Sequence, residues 1–287
     1  MLVVTNLDRE GYSCGRRGYH GYSAGISGAV RLHVSSGPGR IKSVFLRPIN
    51  ECKDVRWWVE LDTPWGTAGQ TSELVWRIVD LKGQEMRQGI TKVRPLDTAE
   101  VYRAEWDIPR ETLALWSTWE PHLYRAEVTW RDTQGNTWDH KQQRFGLRDL
   151  DVRGMDLFLN GRPIMFRGGH DSYYFAPYIY PPTPMTVEYF RPRLEALKKL
   201  GYNALRFHTW MPYPEYMEAA DEVGILLEVE RPVYMGKNFN PDPRFWAQRE
   251  NDQAWRQMVY WCRQYPSVAI YCGGNESCLS EQKICFW

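Results

Sequence analysis

The sequence predicts a mixed multidomain protein in which an antiparallel β-sandwich is followed by a parallel sheet built from β-α units. Between about residues 43 and 147, short segments alternate apolar and polar positions and are separated by turn residues. After about residue 150 the pattern changes to strand, helix, strand, helix. Hydrophobic residues make up 43% of the chain and charged residues 25%, which is typical of a folded globular protein.

Charge and hydropathy exclude several classes of partner. The 36 Lys and Arg nearly balance the 35 Asp and Glu, so the net charge of +1 predicts no nucleic-acid or anionic-membrane partner. No stretch approaches the roughly 20 apolar residues of a membrane helix, and the first residues do not resemble a secretory signal. We therefore expect a cytoplasmic chain by default and leave open a parent protein that is secreted or periplasmic.

The sandwich is predicted from its alternating strands. Residues 124–131 alternate without error, which predicts one buried face. That face carries Tyr124, Ala126, Val128 and Trp130. Residues 74–79 and 101–106 are further strands of this kind. About 100 residues of such strands favour a small immunoglobulin-like sandwich.

The second half of the chain predicts four strands that alternate with three helices. The strands are expected at 163–168, 203–207, 225–230 and 268–273. The first helix is expected to end at Leu200 with Gly201 as its stop, and Pro192 is expected to kink it or to mark its effective start.

The other two helices have clearer signals. Pro214 at a first helical position and Gly224 just past the end bracket the second helix. In the third helix, apolar residues at i, i+3, i+4 and i+7 form one stripe. That stripe consists of Trp255, Met258, Val259 and Cys262.

Length limits the choice between two parallel folds. A series of β-α units forms either a doubly wound sheet or part of a (β/α)8 barrel. A complete barrel takes roughly 250 residues, and residues 158–287 supply about half of that length. If the sheet belongs to a barrel, we expect only its first half in this chain.

Polar side chains that are suited to chemistry lie at the carboxyl ends of all four predicted strands. They are His170 and Asp171, Arg206 and His208, Glu230, and Asn275 and Glu276. Because the carboxyl ends of parallel strands meet at one edge of a sheet, we expect these side chains to lie together. Each one alone is explained equally well by a structural hydrogen bond. A sheet held only by packing does not need the whole collection, which favours a functional site.

Aromatic residues are numerous, with 14 Trp, 17 Tyr and 10 Phe. Flat amphipathic rings stack on the apolar faces of a pyranose while their N–H or O–H groups reach its hydroxyls. The composition is therefore compatible with a sugar site, although most of these rings are expected to fill the sheet cores.

The fourth strand end carries the most specific pattern. Tyr-Pro-Ser at 265–267, the strand that follows and Gly-Asn-Glu-Ser at 274–277 resemble a His-Pro-Ser, strand, Gly-Asn-Glu-Ser signature. That signature belongs to glycoside hydrolase family 2, the family of β-galactosidases, β-glucuronidases and β-mannosidases.

Other segments resemble the same family in the same order. Trp116, Glu-Pro-His-Leu-Tyr at 120–124 and Arg-Phe-Gly-Leu-Arg at 144–148 resemble the end of its sandwich domain. Residues 159–168 and 203–206 resemble its barrel entry and its second barrel strand. The resemblance is strong over residues 116–277 and weak before them.

The resemblance implies three regions. Residues 1–42 would be the remnant of a jelly-roll sugar-binding domain, 43–147 an immunoglobulin-like sandwich, and 148–287 the N-terminal half of a catalytic barrel. The implied fold class is mixed multidomain, with an immunoglobulin-like antiparallel β-sandwich followed by the first half of a (β/α)8 TIM barrel.

The resemblance also implies hydrolysis of β-glycosidic bonds with retention of configuration. One carboxylic acid protonates the departing oxygen, and a carboxylate about 5–5.5 Å away attacks the anomeric carbon. On the family pattern Glu276 is the acid/base and Asn275 bonds the sugar 2-hydroxyl. Arg206 resembles the arginine that supports the nucleophile. Sugar contacts in the family lie at positions that match His170, Asp171, His208 and Glu230.

The sequence departs from the family pattern at two points. Tyr265 stands where relatives usually have His. The family's nucleophile follows the seventh barrel strand, whereas this chain stops shortly after the fourth. We therefore expect a fragment of a β-glycosidase that lacks its nucleophile and does not turn over glycosides unaided.

The implied partner is a β-linked oligosaccharide or glycoside, with no cofactor. The six cysteines include no Cys-x-x-Cys pair, so no structural zinc site is expected. A half barrel would expose strand edges that invite pairing with another chain, so a homo-oligomer is left open.

Two other functions compete with hydrolysis. The first is a non-catalytic carbohydrate-binding or structural fragment, since half a barrel can keep some sugar contacts. The second is a serine esterase at Ser23, because residues 21–25 fit Gly-x-Ser-x-Gly. That motif works on a sharp turn between a strand and a helix, which the glycine-rich surroundings of Ser23 do not suggest.

Overall fold

The structure is a computed structural model that describes residues 32, 34, 37–63, 69–95, 101–171, 186–208, 211–230 and 248–273. Within them, the chain forms an antiparallel sandwich, a small three-stranded sheet and a parallel sheet covered by helices. None of the helices in these ranges is both long and apolar enough to cross a membrane.

Seven long strands form the sandwich. They are β1 (Arg40–Ile49), β2 (Asp54–Asp62), β3 (Ser72–Asp80), β4 (Glu85–Val93), β5 (Val101–Pro109), β6 (Tyr124–Asp132) and β7 (Thr137–Phe145). One sheet has the order β1-β2-β5 and the other β4-β3-β6-β7, and all pairs are antiparallel. The sequence prediction of antiparallel strands in this region is confirmed.

The two sheets of the sandwich share one apolar core. Trp57 lies at its centre, with its ring 5.3 Å from that of Trp106 and 5.2 Å from that of Trp76. The predicted inward face of β6 is buried from Tyr124 to Trp130, as alternation requires. At the start of β6 the Tyr124 hydroxyl accepts a hydrogen bond from the Ala114 backbone N–H at 2.7 Å, a contact typical of immunoglobulin-like folds.

A small antiparallel sheet links the sandwich to the second half. Its strands β8 (Leu150–Arg153), β9 (Asp156–Leu159) and β10 (Arg162–Ile164) pair in the order β10-β9-β8. The predicted strand at 163–168 was misplaced, because Ile164 belongs to this sheet while the parallel strand begins only at Gly168. An apolar run does not show which sheet will pair with it.

Four short strands form the parallel sheet. They are β11 (Gly168–Asp171), β12 (Ala204–Phe207), β13 (Leu226–Glu230) and β14 (Val268–Cys272), and they pair in chain order. At Gly168 a Cβ atom would lie 1.9 Å from the Ala204 carbonyl oxygen. Glycine therefore permits β11 to approach β12 this closely.

Three helices cover one face of the parallel sheet: α1 (Val187–Lys199), α2 (Pro214–Val223) and α3 (Gln248–Cys262). The Thr186 side chain caps α1, so Pro192 lies inside the helix and does not mark its start. Pro214 begins α2, and Gly224 ends it with φ of 80°, as predicted. The predicted stripe on α3 packs against the apolar core of this half.

The opposite face of the parallel sheet has two parts. Near the start of the strands, Ala204 and Leu226 pack against Trp116 and Leu123, which precede β6. Further along the strands the same face becomes polar, as described below. The sheet therefore has helices on one side and, on the other, an apolar floor that supports a polar surface.

Candidate functional site

The polar surface is formed by residues that alternation places on one face of neighbouring strands. In β11, β12 and β13, His170 lies beside Arg206, and Arg206 lies beside Glu228. Glu230 follows two positions after Glu228, so it shares the same face. Three predicted site residues, His170, Arg206 and Glu230, are thus brought together at the carboxyl end of the sheet.

Arg206 is the centre of this group. Its Nη2 atom donates a hydrogen bond to Glu230 Oε2 at 2.9 Å, and its Nε atom lies 3.4 Å from Glu228 Oε1. Burial of the guanidinium lowers the pKa of Arg206, but the hydrogen bond and charge of Glu230 outweigh this and leave the pKa raised. One permanent positive charge therefore bridges two carboxylates.

The two carboxylates differ in their surroundings. Burial raises the pKa of Glu228; Arg206 opposes the rise, and the negative charge of Glu230 adds to it. Glu230 is fully buried, and its Oε1 atom has no hydrogen-bond partner among the described residues. A buried acceptor of this kind is suited to bind a hydroxyl group of a ligand.

His208 joins the same surface directly after β12. Its ring is 5.1 Å from that of His170, and the two planes are perpendicular. Two imidazoles and a guanidinium bridged to carboxylates offer both donors and acceptors, which is the polar set that a sugar hydroxyl requires.

Asp171 lies on the other face of β11, among the helices. Its carboxylate accepts hydrogen bonds from the Tyr216 hydroxyl at 2.6 Å and from Arg193 Nη2 at 2.9 Å. The side chain is 2% exposed. These contacts tie β11 to α1 and α2, so Asp171 is not brought together with the other predicted site residues. Its predicted contact with sugar stays a prediction.

Glu228 and Cys272 belong to the polar surface but were missed by the sequence analysis. The signal for Glu228 was its position two residues before Glu230, since alternation gives both the same orientation. The carboxylate oxygens of these two glutamates and the Cys272 sulfur lie within 4.8 Å of one another. Such a set has ligands for a cation, but Arg206 already bridges both carboxylates.

The remaining predicted residues lie outside the described part of the chain. They are Asn275, Glu276 and the Ser23 of the esterase hypothesis. Cys272, the last residue of β14, is the pairing partner of Glu230. The chain therefore leaves the sheet beside the polar surface.

A set of polar contacts holds the parallel sheet against the sandwich. Trp116 Nε1 donates to the Asp221 carbonyl oxygen at 2.8 Å, and Arg144 Nη1 donates to Glu222 at 2.8 Å. Arg148 donates to the carbonyl oxygens of Pro266 and Val268. We call these contacts the junction.

Asp221 is the buried acid of the junction. Its Oδ1 atom accepts a hydrogen bond from the Ser267 backbone N–H at 2.9 Å, and its Oδ2 atom lies 3.6 Å from Arg144 Nη2. Burial dominates these favourable contacts and raises the pKa of Asp221 to about 7.

Comparison with known proteins finds similarity to one family of enzymes. The family model described as "Glycosyl hydrolases family 2" matches residues 39–148. A β-galactosidase of Photobacterium profundum is 28% identical over 170 residues, which are 56% of this chain and 16% of that protein. A β-galactosidase of Vibrio vulnificus is 26% identical over 210 residues, 67% of this chain and 20% of that protein.

Solved structures share the fold over a longer part of the chain. The β-glucuronidase of Parabacteroides merdae matches 83% of this chain and 30% of its own, with a TM-score of 0.64 and 21% identity. The β-glucuronidase of Ruminococcus gnavus matches 83% of this chain and 38% of its own, with a TM-score of 0.63 and 20% identity.

The family-model match includes the motifs at 116–148. The chain spans 16% of the length of the Photobacterium relative, so the matches describe a part of such a protein. Over residues 39–148, which are 110 of its 287 residues, this chain matches the glycosyl hydrolases of family 2.

Proposed function

We propose that this chain is part of a β-glycosidase that hydrolyses terminal β-glycosidic bonds with retention of configuration, and that it supplies the acid/base side of the site. The observation that carries the proposal is the polar surface at the ends of β11, β12 and β13. His170, Arg206 and Glu230 meet there in a chain that matches a glycoside hydrolase family.

The strand order supports the first half of a (β/α)8 barrel over a doubly wound sheet. In a doubly wound sheet the order reverses and helices cover both faces. Here β11 to β14 pair in chain order, and the core formed with α1, α2 and α3 lies on one face. We propose the predicted regions, with residues 1–42 from a jelly-roll domain, 43–147 the sandwich and 148–287 the half barrel.

The position of Cys272 supports Glu276 as the general acid/base. Cys272 and Glu276 are four positions apart in the chain, and an extended chain spans at most about 3.6 Å per residue. Glu276 is thus tethered within about 14 Å of the β14 end, where Glu230 pairs with Cys272. In the proposed mechanism Glu276 protonates the departing oxygen and then deprotonates water.

The other predicted residues hold the sugar. In this proposal Asn275 bonds the 2-hydroxyl, and the buried Oε1 of Glu230 accepts from another hydroxyl. His170 and His208 supply further polar contacts, and Arg206 holds Glu230 and the nucleophile side of the site. Asp171, on the opposite face of β11, acts in this proposal by anchoring the end of that strand through its contacts to Arg193 and Tyr216.

The test is to express the complete reading frame that contains this sequence beside the 287-residue chain. Both are assayed on nitrophenyl β-galactoside, β-glucuronide and β-mannoside. We expect the longer protein to hydrolyse one of them with retention. The 287-residue chain should hydrolyse none, because the nucleophilic carboxylate of the family pattern follows a seventh barrel strand that these 287 residues do not include. A reading frame that ends at residue 287 contradicts the proposal, as does hydrolysis by the 287-residue chain that E276Q abolishes.

Variants of the longer protein test the role of Glu276. E276Q is expected to lower kcat about 10²- to 10⁴-fold on substrates with poor leaving groups. Substrates whose leaving group needs no proton should lose far less, and added azide should yield a β-glycosyl azide. E195Q, an exposed glutamate on α1, is the matched control and should keep full activity. Sugar binding without hydrolysis by the longer protein would favour a non-catalytic binding fragment.

A further inference from the structure

A cavity of about 800 Å³ lies between the sandwich and helix α3, on the outer face of the β1-β2-β5 sheet. Its walls come from both halves of the described chain, since Phe45 and Trp58 line one side and Tyr260 and Arg263 the other. This volume falls in the usual range for pockets that bind small molecules.

The sandwich side of the cavity carries an aromatic platform formed by Phe45 and Trp58. Phe45 and Trp58 are paired across β1 and β2, and their rings lie 5.5 Å apart at an angle of 28°. Trp58 Nε1 donates to Glu105 at 3.0 Å, which fixes the indole plane. Core residues of these strands point inward, so the platform faces the cavity and not the sandwich core.

The cavity has an excess of positive charge. Its lining contains five arginines, Arg47, Arg103, Arg148, Arg256 and Arg263, but only one acid, Asp149. Glu60, just outside the lining, neutralises Arg103 through a 2.8 Å hydrogen bond. The charge that remains is therefore still positive.

Three of these arginines are already engaged. Arg103 bonds Glu60, Arg148 donates to backbone carbonyls of the junction, and Arg263 lies over the rings of Phe45 and Tyr260 at 4.7 and 4.5 Å. Arg47 on β1 and Arg256 on α3 are exposed members of the lining. Neither makes a hydrogen bond or ion pair with any residue that the structure describes.

The cavity is separate from the polar surface at the strand ends. It is lined by Tyr265 and Pro266, which precede β14, and by Tyr271, which points to the helix side of the sheet. None of His170, Arg206, Glu228 or Glu230 contributes to its lining.

We propose that this cavity is a second binding site, for a carboxylate carried by a ring that has an apolar face. The ring stacks on the Trp58 indole, since Arg263 already lies over the Phe45 ring, and the carboxylate is held by Arg47 and Arg256, whose planar guanidinium groups match it in a bidentate geometry. A uronic acid residue is the sugar form of such a ligand and an aryl carboxylate the other form. Because both halves of the chain line the cavity, a bound ligand also stabilises the junction.

The experiment uses the 287-residue chain and follows tryptophan fluorescence and calorimetric heat, since Trp58 and Trp255 line the cavity. The probes are methyl β-D-glucuronide, phenylacetate and the neutral methyl β-D-glucoside. We expect saturable binding of a carboxylate and at least roughly tenfold weaker binding of the glucoside, because charge-assisted hydrogen bonds are lost. Preference for the glucuronide identifies a sugar acid, and preference for phenylacetate an aryl acid.

Variants locate the bound carboxylate. The double variant R47Q/R256Q should weaken binding roughly tenfold or more, whereas R47K/R256K keeps the charge and should retain part of the affinity. R153Q is the matched control, because Arg153 is an exposed arginine that lies over the Phe158 ring outside the cavity. Circular dichroism and Tm verify that each variant folds.

Three results would overturn this second site. They are equal binding of the neutral glucoside, unchanged affinity of R47Q/R256Q, and loss of binding in R206Q, which would move the ligand to the strand ends. The hydrolysis assays do not bear on these outcomes, so the two proposals fail separately.

Discussion

The strands of the sandwich are nine or ten residues long, whereas those of the parallel sheet have four or five. The sandwich closes its core with residues from its own two sheets and the connections between them. The parallel sheet has its own core only on the helix side, and its opposite face is supported by Trp116 and Leu123 from outside the sheet. Stability and chemistry are thus placed in different regions of the chain.

This difference makes the junction the point at which the two regions depend on each other. The polar surface can keep a buried glutamate oxygen without a described partner, because the floor beneath this surface is packed against Trp116 and Leu123. We expect changes at the junction to affect the parallel sheet more than the sandwich.

The largest effect is expected from W116A. Trp116 is fully buried and donates from its indole to the Asp221 carbonyl, so its removal leaves a large void and an unpaired carbonyl. We expect the free energy of unfolding to fall by about 3–5 kcal/mol. Urea unfolding measures the loss, and amide exchange of β12 and β13 should locate it in the parallel sheet.

W119A is the control for this substitution. Trp119 is 41% exposed and stacks under Arg162, so its loss should cost about 1 kcal/mol or less. Equal losses for the two variants, or faster exchange confined to β3 and β6 in W116A, would show that the junction does not support the parallel sheet.

D221N sharpens the comparison through pH. With a pKa of about 7 in the folded protein against 3.8 in the unfolded chain, Asp221 binds its proton more tightly when folded. Its contribution to stability is therefore full below about pH 4 and is lost as pH rises to about 7, by up to about 4 kcal/mol. D221N should remove this dependence of stability on pH. Tm measured from pH 4 to 8 tests this expectation.

E127Q is the matched change in the sandwich. Burial tends to raise the pKa of Glu127, but Arg125 and Arg77 outweigh it and leave the pKa lowered. Its stabilisation is thus present above about pH 4.5 and is lost only in more acidic solution. E127Q should keep the wild-type dependence of Tm on pH between pH 4.5 and 7. If that dependence disappears in E127Q, its source is Glu127 and not Asp221.

Y216F tests the helix side of the parallel sheet. The Tyr216 hydroxyl donates to buried Asp171 at 2.6 Å, and its removal leaves one carboxylate oxygen short of a donor. We expect the free energy of unfolding to fall by about 1–3 kcal/mol in urea. Y189F, at a half-exposed ring on α1, is the control and should change it by about 0.5 kcal/mol or less. Similar values for both would mean that the Asp171 contact does not anchor β11.

The smallest effect is expected from T186A. The Thr186 side chain accepts from the Tyr189 backbone N–H at 3.3 Å and so caps α1. Its loss should cost about 1 kcal/mol or slightly less, measured by thermal unfolding. T186S keeps the hydroxyl and should be close to wild type, so an equal loss in T186S would exclude capping as the cause.

The sequence was sufficient where local signals and final packing agree. Alternation over residues 124–131 predicted β6, and the Pro214 and Gly224 signals predicted α2. The segment at 163–168 was misassigned because an apolar run of a few residues suits either a hairpin or a parallel strand. Only the pairing of Pro163 with Phe158, a tertiary choice between neighbouring strands, decides between them.

The candidate site shows the same division. The rule that parallel strands end at one edge predicted that His170, Arg206 and Glu230 come together, and their pairing is as expected. Asp171 is adjacent to His170 in a strand, so it had to point the opposite way. Its partners Tyr216 and Arg193 lie on helices 45 and 22 residues away, which no local pattern reveals.

Because β11, β12, β13 and β14 pair in chain order, each of these strands leaves the ribosome after its partner has already been made. In the sandwich, β2 can pair with β5, and β3 with β6, only after the strands between them in the chain have been made. The parallel sheet is therefore suited to grow strand by strand during translation on a sandwich that has already closed. At each step the newest strand forms the growing edge, while β11 stays at the opposite edge, so only one of the two edges changes as the sheet grows.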